Sequence, residues 1–132
     1  MNSAQKNEIL VAIALVRRGD CWLVGERTAN QALAGCAEFP GGKCLPGETP
    51  EECAQRECHE ETGLEVTVLR RRREVEHEYP HGRLRLVFCD CELKGEEPPR
   101  PPFRWAPRSE LATLRFPEAN AGVLSELMRE GD

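Results

Sequence analysis

The chain predicts an α/β fold in which a mixed β-sheet lies between helices. Three features carry that expectation. A continuous apolar run at residues 9–16 is strand-sized and suits a central strand covered on both faces. Two long strand-like stretches, residues 65–79 and 83–93, flank a Pro80-His81-Gly82 turn, the second with alternating Leu84, Leu86 and Phe88. Helix signals mark two further segments, one between Thr49 and Gly63 and one at residues 117–129.

In order, residues 1–7 show no pattern and read as disordered. The run at 9–16 is the first strand, Arg18-Gly19-Asp20 a hairpin turn, and residues 21–25 the returning strand. Residues 26–35 read as a loop leading to a short strand at 37–39. Gly41-Gly42 lets backbone approach a ligand and Pro46-Gly47 sets a turn, so a loop is expected before the first helix. That helix opens on Thr49 as a capping hydroxyl, with Pro50 in the first turn and Glu51 and Glu52 as early carboxylates. Gly63 ends it. Residues 96–102 form a proline-rich loop and 103–107 a short strand. The last helix, 117–129, carries Val123, Leu124, Leu127 and Met128 on one side, with Gly131 beyond its end.

Length and charge narrow the function. At 132 residues the chain suits one compact domain, 1–132, able to bury a core. A net charge of −5 argues against a non-specific nucleic-acid binder, so no stable nucleic-acid partner is expected. Polyphosphates remain acceptable ligands if metal ions supply the positive charge. No apolar stretch approaches membrane-spanning length, and no charged leader precedes a cleavable apolar run. Seven cysteines, an odd count without any C-x2-C pair, suit free thiols in a reducing cytoplasm better than disulfides or zinc. Cys21, Cys36, Cys44, Cys53, Cys58, Cys89 and Cys91 therefore read as ordinary core or surface residues. Oligomeric state has no signature.

The chemistry concentrates between Phe39 and Val66. On a helix, Glu57, Glu60 and Glu61 are related by i,i+3 and i,i+4 and share one face. Like charges at that spacing cost roughly 0.2–0.5 kcal/mol per pair on an exposed helix. In a cleft, at ~5 Å and an effective dielectric of about 20, each pair repels by ~3 kcal/mol. Two readings follow: a solvated acidic helix, or three carboxylates around a hard cation such as magnesium or manganese. Arg56 is spaced to pair with Glu48 or Glu60 and to steer a carboxylate.

Gly42, Glu48, Arg56, Glu57, Glu60, Glu61 and Gly63 stand at the intervals of the Nudix box, G-x5-E-x7-R-E-U-x-E-E-x-G-U, where U is a bulky aliphatic. One position departs, Cys58, where the family usually has Leu or Ile; a small hydrophobe there implies a less well filled core and intact chemistry. The chain thus resembles the Nudix hydrolases over nearly its whole length. The resemblance implies the Nudix-type α/β/α sandwich and hydrolysis of a nucleoside diphosphate linked to another group, by water attack on phosphorus. It implies Glu57, Glu60 and Glu61 as metal ligands with the carbonyl of Gly41, Glu60 also as general base, and Arg56 orienting a glutamate. Gly42, Glu48 and Gly63 are its structural positions. Mg2+ is the implied cofactor, with Mn2+ able to substitute. Some members add a glutamate from a distal loop, where Glu96 and Glu97 are the candidates here.

Outside the box the resemblance narrows to MutT-type 8-oxo-dGTP diphosphatases. It rests on Glu26-Arg27, on Glu38-Phe39-Pro40-Gly41-Gly42-Lys43, on Glu78-Tyr79-Pro80 and on Phe116-Pro117-Glu118-Ala119-Asn120. It implies that Asn120 reads the purine edge, since an amide both donates and accepts. Arg27 would line the same pocket, and the Phe39 backbone would help hold the base. Asn120 is equally suited to capping a helix, and Lys43 either meets a phosphate or is a surface residue. Ala32 and His81 depart from the pattern and leave details of nucleotide recognition open. Other readings are another dNTP or NTP, a 5′-triphosphorylated or capped RNA, and a non-catalytic nucleotide-binding domain. Complete carboxylates argue against the last. The basic run Arg70, Arg71, Arg72 and Arg73 alternates faces on a strand. It is either a solvated edge that discourages aggregation or a phosphate or RNA contact.

Overall fold

A computed structural model describes residues 7–29, 31, 33–80 and 82–130 of the chain. Its elements are β1 (Asn7–Arg18), β2 (Cys21–Glu26), β3 (Ala37–Glu38), β4 (Gly41–Lys43), α1 (Pro50–Thr62), β5 (Glu65–Tyr79), β6 (Gly82–Lys94), β7 (Arg104–Pro107), α2 (Arg108–Leu111), a 3-10 turn (Glu118–Asn120) and α3 (Ala121–Arg129). The strands join in the order β3-β2-β1-β6-β5, with β4 added to β1 and β7 to β2. β1 and β6 run parallel, with Ile13 opposite Phe88, and the other pairings are antiparallel, so the sheet is mixed.

Alternation along β1 and β6 divides the core between two faces. Ala12, Ala14, Val16, Val87, Cys89 and Cys91 pack with Cys53, Ala54 and Cys58 of α1. Leu15 and Phe88 face the other way, onto Leu111 of α2 and Val123 and Leu127 of α3. Sheet between helices is therefore the observed layering, as expected. Small residues on both sides of the α1 contact let the helix lie close to the sheet. Cys58 is fully buried there, its sulfur 3.6 Å from Thr62 Oγ1.

Local chemistry sets the bounds of α1. Thr49 Oγ1 accepts from the Glu52 amide at 3.1 Å, and Glu52 Oε1 accepts from the Thr49 amide at 3.0 Å, a reciprocal cap worth about 1 kcal/mol. At the other end Gly63 takes the left-handed conformation, φ 81°, and its N–H donates to His59 O.

Several expectations need correction. Residues 41–43, ahead of the expected loop, add a strand β4, because their backbone finds partners on β1 that sequence pattern does not reveal. The short α2 is too brief to show periodicity. Helical structure after Pro117 begins as a 3-10 turn, and α3 proper starts at Ala121. Val123 and Leu127 are buried as expected, but Met128 is 38% exposed. Strand β7 starts at Arg104, one residue late. Asn7 belongs to β1, whereas residues 1–6, Ala32, His81 and Gly131 lie outside the described residues.

The arginine run is not simply solvated. Register shifts between Val68 and Arg70 and between Arg71 and Arg73 interrupt the pleat. Arg70 and Arg72 both donate to Asp90, Arg71 to Glu51 and Arg73 to Glu126. The Arg72 side chain is only 9% exposed and also donates to Glu130 at 2.7 Å, tying α3 to the edge strand β5.

Candidate active site

The site forms where β4 lies between β1 and α1. Gly41 and Gly42 pair with Ile13 and Ala12, which builds the glycine pair into the sheet. Side chains have no room at either position. A Cβ on Gly41 would strike the Ala12 carbonyl and Ile13 Cα, and one on Gly42 would lie 2.5–2.6 Å from the Glu57 carboxylate. Bare backbone is thus what admits the Glu57 side chain. One turn along α1, Glu61 accepts a hydrogen bond from the Gly41 N–H at 3.3 Å.

Arg56 organises the opposite side. Its Nε donates to Glu48 Oε2 at 2.7 Å and its Nη2 to Glu48 Oε1 at 2.9 Å. Nη1 reaches Glu57 Oε2 at 3.2 Å and Glu60 Oε1 at 3.2 Å, and Nη2 also donates to the Lys43 carbonyl at 3.1 Å. The expected choice between Glu48 and Glu60 is resolved as both. Glu57 is mostly enclosed, with 16% of its side chain exposed, whereas Glu60 is open at 57%.

Electrostatics separate these carboxylates. The Arg56 guanidinium and the Leu45 amide hold the Glu48 carboxyl down to about 2. Glu61 is pushed up to about 7, by burial first and then by the negative charges of Glu57 and Glu38, against the lowering effect of the Gly41 N–H. A buried carboxyl beside two others is short of positive charge. All the side-chain donors gathered here are hard carboxylate oxygens, which fits a small divalent cation.

Of the base-pocket candidates, Arg27 follows β2, Phe39 follows β3 and Asn120 ends the 3-10 turn. Arg27 Nη1 donates to Glu38 Oε1 at 2.9 Å, and burial raises the Glu38 pKa despite that partner. The Phe39 ring stacks on Phe116, centroids 4.8 Å apart. Asn120 is buried, and its Nδ2 donates to Pro117 O at 3.2 Å. It stands at the N-cap position of α3, but its side chain makes no capping hydrogen bond there. Lys43 is exposed.

The distal loop carries the two candidate glutamates. Glu96 is exposed, and Glu97 lines a cavity of about 340 Å³ with His59, Gly63, Glu65 and Lys94, past the C-terminal end of α1. Arg100 is the loop residue that reaches the acidic helix. Its Nη1 donates to the Glu60 carbonyl at 2.8 Å and its amide to the Thr62 carbonyl at 2.8 Å. Sequence reasoning missed it because a contact across 40 residues leaves no local spacing to read. Among the described residues, Cys44, Glu48 and Cys53 also bring a ligand atom each within 4.8 Å of one another. Both Glu48 oxygens are taken by Arg56, so that group is a weak cation site.

Known proteins with related chains place this architecture. The NUDIX domain family profile matches residues 11–126. The chain is 31% identical over 126 residues to the 8-oxo-dGTP diphosphatase of Escherichia coli (strain K12), covering 92% of this chain and 98% of that one. It is 33% identical over 135 residues to the 8-oxo-dGTP diphosphatase of Haemophilus influenzae, covering 95% of each. The solution structure of the MutT protein, family Nudix hydrolase, from methicillin-resistant Staphylococcus aureus 252 superimposes with a TM-score of 0.78 at 30% identity, over 96% of this chain and 100% of that one. With the glycine pair, the Arg56 hub and the carboxylate helix in one place, the chain belongs to the Nudix family and is a MutT-type Nudix hydrolase.

Proposed function

We propose that the protein is a magnesium-dependent nucleoside triphosphate pyrophosphohydrolase that converts 8-oxo-dGTP to 8-oxo-dGMP and pyrophosphate, so clearing an oxidised nucleotide from the precursor pool. The observation that carries the hydrolytic part is the packing of Glu57 and Glu61 against bare backbone at Gly42 and Gly41. The substrate assignment is supported by the names of the E. coli and H. influenzae relatives and by the resemblance of Asn120, Arg27 and Phe39 to base-pocket positions of MutT-type sequences.

In this reading Glu57, Glu60 and Glu61, with the Gly41 carbonyl, hold Mg2+, for which Mn2+ substitutes. When bound, the cation polarises the phosphate and lowers the pKa of a water. Glu60, open to solvent and oriented by Arg56, takes the proton of the attacking water. The new P–O bond forms as the anhydride bond between the α and β phosphates breaks, and pyrophosphate leaves. Lys43 meets the phosphate chain. Asn120 presents a donor and an acceptor to the purine edge, which suits a base carrying both a carbonyl and a protonated ring nitrogen. Arg27 lines the same pocket, steadied by Glu38.

The test compares kcat/KM for 8-oxo-dGTP and dGTP with Mg2+, scored by pyrophosphate release, in the wild type and in Asn120→Ala. A strong preference for the oxidised base that falls in the variant is the expected result. Equal rates on both substrates would overturn the sanitising role. An unchanged preference in Asn120→Ala would remove that residue from base reading.

A further inference from the structure

Two thiols meet at the edge of the site. Cys44 follows β4, half-buried, with its amide donating to the Leu10 carbonyl at 2.8 Å. Cys53 sits in the first half of α1, fully buried, and its thiol donates to the Gly42 carbonyl at 3.3 Å. Both sulfurs and a Glu48 carboxylate oxygen lie within 4.8 Å of one another. Burial raises the pKa of both thiols. The loop between them carries Glu48, whose carboxylate holds Arg56. A dication is a poor occupant, because Arg56 Nη2 stands 3.9 Å from the Cys53 sulfur and already engages Glu48. What remains is a dithiol that spans the loop between β4 and α1.

We propose that Cys44 and Cys53 are a reversible oxidation site, closing to a disulfide with hydrogen peroxide and thereby disabling the site through the Glu48–Arg56 contact. The cross-link is independent of the activity assigned above; only its effect on turnover rests on that reading.

The two sulfurs lie no more than 4.8 Å apart, so an S–S bond of about 2.05 Å requires an approach of no more than ~2.8 Å. Cys44, the more accessible thiol, attacks first as its thiolate: its S–O bond forms as the peroxide O–O bond breaks, and the hydroxide that leaves takes up the thiol proton as water. The Cys53 sulfur then displaces oxygen from the Cys44 sulfenic acid, forming S–S and releasing water. Two thiols lose two electrons and one peroxide becomes two waters. Burial raises both thiol pKa values, so oxidation quickens as pH rises. Closure pulls the Cys53 sulfur away from the Gly42 carbonyl and draws in the loop bearing Glu48.

A single tryptic fragment, residues 44–56, contains both cysteines and no other. After graded peroxide and alkylation, that fragment should appear ~2 Da lighter and unalkylated, and dithiothreitol should restore it. Pyrophosphate release should fall ~10- to 100-fold in parallel and recover with reduction, the size of loss a displaced catalytic group produces. Cys44→Ser and Cys53→Ala should each retain activity after the same treatment. Oxidation of Cys44 straight to sulfinic acid without a linked fragment would overturn the disulfide. A linked fragment with undiminished turnover would overturn the switch, as would equal inactivation of Cys44→Ser. Should the wild type release no pyrophosphate before treatment, the hydrolase reading fails while the mass of the fragment still decides the cross-link.

Discussion

Arg56 and Glu48 are joined by two parallel hydrogen bonds, 2.7 and 2.9 Å long, across the loop between β4 and α1. The same guanidinium touches Glu57 and Glu60, so one cation sets the spacing of the acidic face. In Glu48→Gln, Arg56 loses its charged fork, and kcat should fall ~10- to 100-fold with a smaller change in KM. The variant also changes acid stability. Because Glu48 titrates near 2 when folded and near 4.5 when not, the unfolded chain binds more protons between those values. Its contribution is full above about 4.5 and lost as pH falls through about 2. Thermal melts across that range should show a flatter acid limb for Glu48→Gln; superimposable limbs would refute the linkage.

Glu61 predicts a pH-dependent metal affinity. Raised to about 7 by burial and neighbouring carboxylates, it is mostly protonated below that value and ionised above it. A cation must displace the proton, so Mg2+ or Mn2+ should bind ~10-fold more tightly at pH 8 than at pH 6. Calorimetric titration at the two values checks this. In Glu61→Gln the dependence should shrink.

The paired glycines should fail in different ways. Gly41→Ala drives a methyl into the backbone of β1, at Ala12 and Ile13, and should cost about 1–3 kcal/mol of stability. Gly42→Ala meets first the movable end of Glu57, which can shift at the expense of its own position, so the fold should persist while kcat drops. Melting temperature and turnover measured side by side separate the two. Equal loss of stability in both would contradict the packing.

Arg100 should act through α1. Arg100→Ala frees the Glu60 carbonyl and relaxes the turn that carries Glu60 and Glu61. The metal concentration for half-maximal activity should rise several-fold, with Arg100→Lys recovering part of it. A change in melting temperature alone, with metal dependence untouched, would reduce Arg100 to a structural cap.

Much of this was legible locally. Thr49, Glu52 and Gly63 bound α1 by chemistry confined to a few neighbouring residues, and the spacing of Glu57, Glu60 and Glu61 places them on one face of any helix. The apolar run at 9–16 announced the central strand because both faces of the sheet are covered. Strand β4 was not legible, since nothing in Gly41-Gly42-Lys43 says that β1 will offer it partners.

What the sequence determined by itself is thus the family, the layered α/β plan and the order of groups along the acidic helix, all consequences of short-range spacing. Tertiary structure alone decided that Arg56 serves three carboxylates, that Arg100 of the distal loop meets the helix end, and that Cys44 lies near Cys53. Those relationships join positions that come together only when sheet and helix pack. The contacts depend on where side chains point in three dimensions, which spacing along the chain does not encode.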